Sequence, residues 1–172
     1  MSIVIRPCVP GDEHRLSMVA RASFLETYAG VVAGGDMLLF GEGAHSPAAY
    51  AGLLADTGVD LFLATLDPGE APVGYAMVCK PDLPVAIGEG DLELKRIYAL
   101  HRFHGGGLGV RLMSAAMEAA RARGARRLLL GAHGENHRAI AFYRKHGFTQ
   151  VGTRVFHVGE NFYDDVVLAA DL

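Results

Sequence analysis

The spacing of apolar residues along the chain switches repeatedly between a strand rhythm and a helix rhythm. Ser2 to Cys8 centres on Ile3-Val4-Ile5 and predicts a first strand, which Pro10-Gly11 breaks. Asp12 is a candidate cap, and Leu16, Val19, Ala20, Ser23, Phe24 and Thr27 then keep to one face of a helix that should fade near Gly30. From Gly30 to Ser46 the chain is glycine-rich, and no rhythm selects helix or strand. Ser46-Pro47 opens a short helix that runs to Asp56. Asp60–Leu66 and Pro72–Cys79 predict a hairpin turning at Asp67-Pro68-Gly69, and Pro81 to Gly90 reads as a loop.

Asp91 to Leu100 predicts the next strand. Leu92, Leu94, Tyr98 and Leu100 would form one apolar row, but Arg96 interrupts it. Two explanations fit: a bulge near Arg96 that re-aims the strand, or an arginine on an exposed edge. A strong helix follows from Gly107 or Leu108 to Arg123. Val110, Met113, Met117 and Ala120 lie on one side of it, flanked by Leu112, Ala116 and Ala119, and Gly124 ends it. Arg126–Gly131 predicts a strand, Asn136–His146 a helix closed by Gly147, and Phe148–Val158 and Asn161–Leu168 a last pair of strands. This order, about seven strands with about four helices among them, predicts a mixed α/β (α+β) fold. No linker interrupts it, so one domain over 1–172 is expected.

Composition narrows the function classes. The net charge is −3, so no basic excess drives nucleic-acid binding. No apolar run reaches the ~20 residues of a membrane span, and the N-terminus is strand-like without a signal-peptide pattern. A cytoplasmic protein is expected, with Cys8 and Cys79 as reduced thiols. His101 and His104, and His133 and His137, stand at close spacings, but no cysteine or carboxylate completes a zinc set, so no metal is expected.

The most informative stretch is His104-Gly105-Gly106-Gly107-Leu108-Gly109, between the fourth strand and the strong helix. Free N–H groups and the helix dipole at such a start favour an anion, and glycines let a bulky phosphate approach the backbone. Arg102 and Arg111 add charge nearby. A Walker A loop would need Gly-Lys-Ser/Thr, and a dinucleotide fingerprint counted from Gly105 would need Gly or Ala where Val110 stands. A nucleotide-binding protein is therefore disfavoured.

Leu94 to Met113, with His104, Gly107 and Gly109 at the fixed positions, resembles the CoA-binding segment of the GNAT (GCN5-related) N-acetyltransferase superfamily. The departure is His104, where Gln or Arg is usual. Downstream, Asn136, Ala139, Phe142-Tyr143 and Gly147-Phe148 resemble the family's second signature, in the right order. The resemblance covers nearly the whole chain and is weakest from Gly30 to Asp60.

The resemblance implies a central, mixed, mostly antiparallel sheet with a V-shaped splay between the fourth and fifth strands, where the pantetheine arm of acetyl-CoA lies. Ile97, Tyr98 and Ala99 would run along that arm, with one backbone N–H near the acetyl carbonyl. The pyrophosphate would sit on the backbone from Gly105 through Gly106, Gly107 and Leu108 to Gly109, with the His104 side chain beside it. Asn136 would contact pantetheine, although it also suits a plain helix cap. Tyr143 would protonate the departing thiolate. Glu93, eleven residues before His104, matches the offset of a catalytic glutamate in the histone acetyltransferase branch; its alternative is a simple strand-face charge.

The implied activity is transfer of an acetyl group to a primary amine by direct attack. Phe24, Glu26, Tyr28 and Asp36 are the substrate candidates, with Tyr163 near the other end. The Phe24–Tyr28 segment and the Phe156, Gly159, Asp164 ending resemble, more loosely, polyamine acetyltransferases of the superfamily, so a small amine or polyamine leads and a protein or peptide amine follows. A non-catalytic acyl-CoA sensor is the reading from another class. Homodimers are common among such proteins, and the sequence is compatible with one.

Overall fold

The computed structural model describes residues 1–172. In chain order the elements are β1 (Ser2–Pro7), α1 (Glu13–Tyr28), α2 (Gly34–Glu42), α3 (Pro47–Ala55), β2 (Asp60–Asp67), β3 (Ala71–Cys79), β4 (Leu92–Ala99), a 3₁₀ turn (His101–Phe103), α4 (Leu108–Ala122), β5 (Arg127–His133), α5 (His137–Lys145), β6 (Thr149–Val158) and β7 (Asn161–Asp171). One seven-stranded sheet runs in the order β1-β2-β3-β4-β5-β7-β6. Only β4 and β5 are parallel; every other neighbouring pair is antiparallel. No helix is long and apolar enough to cross a membrane.

Two apolar clusters sandwich the sheet. On one face Leu16, Val19 and Ala20 of α1 and Tyr50 of α3 pack on Leu61, Leu63, Tyr75 and Met77. On the other, α4 and α5 cover Val78, Leu94, Leu128 and Leu130. The buried stripe of α4 is Leu108, Leu112, Met113, Ala116 and Ala120. Val110, expected on that stripe, is 48% exposed. It lies about 200° around the helix from Leu108, which the sheet holds at 1% exposure. Met117 packs at the edge of the cluster.

The helices number five, because the undecided Gly30–Ser46 segment contains α2. Its local sequence, Gly34-Gly35-Asp36-Met37-Leu38-Leu39-Phe40-Gly41-Glu42, favours a helix poorly. Tertiary contacts hold it instead. Phe40 stacks on Phe24 of α1 (ring centroids 5.0 Å) and meets Phe156 of β6 edge-on at 6.0 Å. Asp36 accepts a hydrogen bond from the Asn161 side chain.

The feature that shapes the site is in β4. Met77 faces Arg96, but the next residue of β3, Val78, faces Leu94, so Lys95 is an extra residue in β4. The bulge stands beside Arg96 and resolves the two readings of that arginine. It also splits the expected single apolar row. Leu92 and Leu94 lie on the α4 side, and beyond the bulge Ile97 and Ala99 take over that side, while Tyr98 packs on the α1 side and Leu100, just past the strand, touches both clusters. At the same place β4 parts from β5. Their pairing is confined to Leu92↔Leu128 and Glu93↔Leu129.

The turn into α4 has an equally specific backbone. Gly105 and Gly107 have φ of +81° and +80°, whereas Gly106 does not have positive φ. Gly107 stands at the cap position of α4 with φ 80° and ψ 0° and no side-chain cap. Gly107→Ala is therefore expected to lower stability by about 1–2 kcal/mol in denaturant unfolding, and Gly106→Ala to change it by less than about 0.5 kcal/mol. Equal losses at both positions would contradict the assigned turn.

Candidate active site

Where β4 and β5 part, a cleft of about 660 Å³ opens between them and reaches the start of α4. The ladder with β3 fixes which backbone groups face it. Leu100 donates its N–H to the Val73 carbonyl at 2.9 Å. Tyr98 and Arg96 share that orientation and pair with Tyr75 and Met77. Ile97 and Ala99 alternate with them and turn their N–H and C=O groups toward the cleft. Tyr98 thus contributes a side chain rather than a backbone edge.

At the far end of the cleft, no backbone N–H from Gly105 to Val110 donates to a protein acceptor, and Arg111 is the first to do so, to the Gly107 carbonyl at 3.1 Å. These donors sit at a helix N-terminus, where the dipole is positive. Gly105, Gly107 and Gly109 line the cleft, Gly106 lies in the turn outside its wall, and the Leu108 side chain is in the core. His104 lines the cleft, but its Nε2 lies 2.8 Å from the Ala99 carbonyl oxygen, so the ring donates back to the end of β4. It braces the turn against the strand. Arg111 is likewise committed, donating to the Ile3 carbonyl at 3.0 Å.

The opposite wall is α5. Asn136 Oδ1 accepts from the Ala139 N–H at 3.1 Å, which makes Asn136 the helix cap, and the residue also lines the cleft. Phe142 and Tyr143 lie one turn further on. The only fully buried side-chain nitrogen or oxygen without a partner is Arg154 Nε, so the Tyr143 hydroxyl, which makes no hydrogen bond within the protein, is reachable from the cleft. Burial, with the neighbouring Tyr98 phenol next, raises the Tyr143 pKa and keeps the phenol protonated.

A second, smaller cavity of about 260 Å³ lies on the α1 side of β4. Phe24, Phe40, Phe156 and Val158 give it apolar walls, and Glu93, Lys95, Arg96, Arg154 and Asp165 give it charge. Tyr28, Val31, Tyr98 and His133 line both cavities, so the two meet there. The Tyr28 and Tyr98 hydroxyls are 3.3 Å apart. Glu93 is 1% exposed, accepts from the Asp82 N–H at 2.9 Å, and has its pKa raised by burial. Arg154 pairs with Asp165 at 2.6 Å and occupies the space over Gly131, where an alanine Cβ would come within 2.5 Å of its guanidinium.

Of the residues expected to meet the acceptor, Phe24, Tyr28 and Tyr163 line the smaller cavity. Glu26 does not. It lies on the surface and accepts from the His101 N–H at 2.8 Å, fixing the 3₁₀ turn. Asp36 is taken up by Asn161. Sequence reasoning missed Arg96, His133, Arg154 and Asp165 as cavity residues. Only Arg96 had left a trace, as the break in the β4 apolar row. No three His, Cys, Asp or Glu side chains converge in a metal-ligating group.

Comparison with known proteins places this geometry. The family model "Acetyltransferase (GNAT) family" matches residues 37–148. An uncharacterized N-acetyltransferase of Mycobacterium bovis is 34% identical over 161 residues, covering 94% of this chain and 98% of that protein, and a Mycobacterium tuberculosis counterpart matches equally. Among solved structures, the PaiA N-acetyltransferase of Thermoplasma acidophilum in complex with coenzyme A superposes with a TM-score of 0.80 at 22% identity over the full length of both chains. A GCN5-related N-acetyltransferase of Rhodopseudomonas palustris gives 0.76 at 22% identity, covering 100% of this chain and 97% of that one. The structural neighbours share the fold, and the family model and the near-full-length relatives establish the membership: this chain belongs to the GNAT family of acetyl-CoA-dependent N-acetyltransferases.

Proposed function

We propose that the chain acetylates the primary amine of a small molecule by direct attack within a ternary complex, acetyl-CoA entering the β4–β5 cleft and the amine entering the cavity on the α1 side. The observation that carries this reading is the junction of the two cavities at Tyr28, Val31, Tyr98 and His133. An amine held there reaches a thioester laid along β4 without any covalent enzyme intermediate. The 260 Å³ volume favours a small molecule over a protein terminus. A polyamine acceptor, suggested by the Phe24–Tyr28 segment and the β6–β7 ending, is one form of this reading. Free thiols at Cys8 and Cys79 fit a cytoplasmic setting.

In this assignment the pyrophosphate accepts hydrogen bonds from the backbone between Gly105 and Val110, and pantetheine pairs with Ile97 and Ala99. His104 acts indirectly, by bracing the turn through the Ala99 carbonyl. The neutral amine attacks the acetyl carbonyl carbon, and the oxyanion that forms is met by the Ile97 N–H. Glu93 takes the proton released from the amine, directly or through water. The C–S bond then breaks, and Tyr143 gives its proton to the departing thiolate. Desolvation in the cleft destabilises that thiolate as it does the tyrosinate, which keeps the transfer accessible.

Tyr143→Phe is expected to lower kcat by about a hundredfold, with the acetyl-CoA Kd from calorimetry essentially unchanged. A mutant with unaltered kcat would remove Tyr143 from the acid role. The pH dependence follows from Glu93. Its pKa is raised by burial, so the base form is lost as pH falls through a value above the usual carboxylate range, and kcat/KM declines there. Glu93→Gln should lower kcat/KM by about a hundredfold and abolish that acidic limb. A mutant that keeps the wild-type profile would show that water alone serves as base.

A further inference from the structure

The charges of the smaller cavity do not cancel. Its wall carries Lys95, Arg96 and Arg154 against Glu93 and Asp165. Arg154 and Asp165 satisfy each other at 2.6 Å, with side chains 19% and 6% exposed. Glu93 is buried, is engaged by the Asp82 N–H at 2.9 Å, and forms no ion pair with Arg96. Arg96 is left without a carboxylate. Its Nη1 donates to the Tyr50 hydroxyl at 3.1 Å, and its guanidinium lies 5.4 Å from the Tyr50 ring centroid.

These contacts aim Arg96 without neutralising it. The Tyr50 hydroxyl is also 3.0 Å from His45 Nδ1. His45 is 2% exposed, and its pKa is lowered to about 3 by burial and by the Arg96 and Arg21 charges. The ring is therefore neutral, and its contact with the Tyr50 hydroxyl holds the phenol whose oxygen accepts from Arg96. The guanidinium thus faces the cavity on a rigid support, with most of its donors uncommitted. Arg154, which lines the same cavity, carries the one buried side-chain nitrogen or oxygen that lacks a hydrogen-bond partner, its Nε. A partly buried guanidinium without a counter-ion is costly, and a planar anion delivered by a ligand completes it.

We propose that the acceptor is an amine that also carries a carboxylate, namely an amino acid with an apolar or aromatic side chain, whose carboxylate is bound by Arg96. This rests on the acetyl-transfer reading above. Arg96 and Tyr98 lie on the same face of β4, about 7 Å apart along the strand. A carboxylate at Arg96 therefore directs the neighbouring amine toward the Tyr28–Tyr98 junction and the cofactor cleft. Phe24, Phe40 and Phe156 supply walls for the side chain. A polyamine brings several cations and no anion to a lining that already has cationic excess.

The test is the initial rate of thiol release from acetyl-CoA with matched acceptors: phenylalanine, phenylalaninamide and phenethylamine; leucine, leucinamide and isoamylamine; and spermidine. The free carboxylates should lead in kcat/KM by at least about tenfold. Arg96→Gln should erase that lead by lowering kcat/KM for the carboxylates, leaving amide rates within a few-fold of their wild-type values, and Arg96→Lys should restore part of it. Thermal melting and the acetyl-CoA Kd monitor folding, and the wild-type preference decides alone if Arg96→Gln does not fold. Amides, simple amines or spermidine used as well as the carboxylates, or an equal loss for all acceptors in Arg96→Gln, would overturn the carboxylate assignment while acetyl transfer stands. Acetyl-CoA binding with no thiol release for any amine would overturn acetyl transfer itself and this assignment with it.

Discussion

Backbone N–H and C=O groups inside a sheet need partners, and between β4 and β5 that pairing stops after Glu93↔Leu129. Everything distinctive about this molecule depends on that parting. It leaves the Ile97 and Ala99 backbone groups facing a cleft instead of a neighbouring strand. A parallel neighbour pair at the centre of an otherwise antiparallel sheet requires a crossover, and α4 is that crossover. The uncapped start of α4 therefore lies at the mouth of the same cleft, and α5, which follows β5, closes the other side with Tyr143. The unmet hydrogen-bonding capacity of two separate elements is thus brought to one place, and an extended ligand ending in phosphates matches it.

The bulge at Lys95 gives β4 its second use. Without it, Arg96 and Tyr98 would share a face with Leu94 beneath α4. With it, Ile97 and Ala99 point their side chains under α4, and Arg96 and Tyr98 look into the opposite cavity. One short strand then presents a backbone edge to the β4–β5 cleft and side chains to the smaller cavity, which is what the proposed assignment of cofactor and acceptor uses. Glu93 stands just before the bulge, on the acceptor side, where burial raises its pKa. Tyr50 and His45 hold Arg96 in place from behind.

What the sequence disclosed divides along physical lines. The glycine turn and the tyrosine helix that flank the β4–β5 cleft were legible because each is a continuous stretch, and the resemblance to GNAT proteins joined them into one site. Positive φ at Gly105 and Gly107 demands glycine, and the helix start and the tyrosine helix are continuous stretches with their own caps. The order of elements along the chain was legible from periodicity for the same reason, and the break in the β4 apolar row at Arg96 was visible, although it left a bulge and an exposed edge equally open. The smaller cavity was not legible, because its lining is gathered from α1, α2, β4, β6 and β7, which lie far apart in the sequence. Helix α2 escaped because its glycines mask the rhythm and Phe40 is held by Phe24 and Phe156, which lie far away in sequence. Glu26 was expected at the acceptor for its negative charge within the Phe24–Tyr28 segment, but two residues from Tyr28 it lies about 200° around the helix, and its side chain reaches out to the His101 N–H. His104 departs from the usual Gln or Arg, and its ring bonds to the Ala99 carbonyl rather than pointing freely at the phosphate site.

In the proposed assignment the parted edge of β4 and the start of α4 together hold acetyl-CoA. Residue-resolved amide hydrogen exchange, with and without a saturating non-hydrolysable acetyl-CoA analogue, tests it most directly. Bound cofactor should slow exchange at Ile97, Ala99 and the amides from Gly105 to Val110, and should leave Tyr98, already paired with Tyr75, unchanged relative to the rest of the sheet. Tight binding of the analogue with no added protection at Ile97, Ala99 and the α4 start would contradict the account.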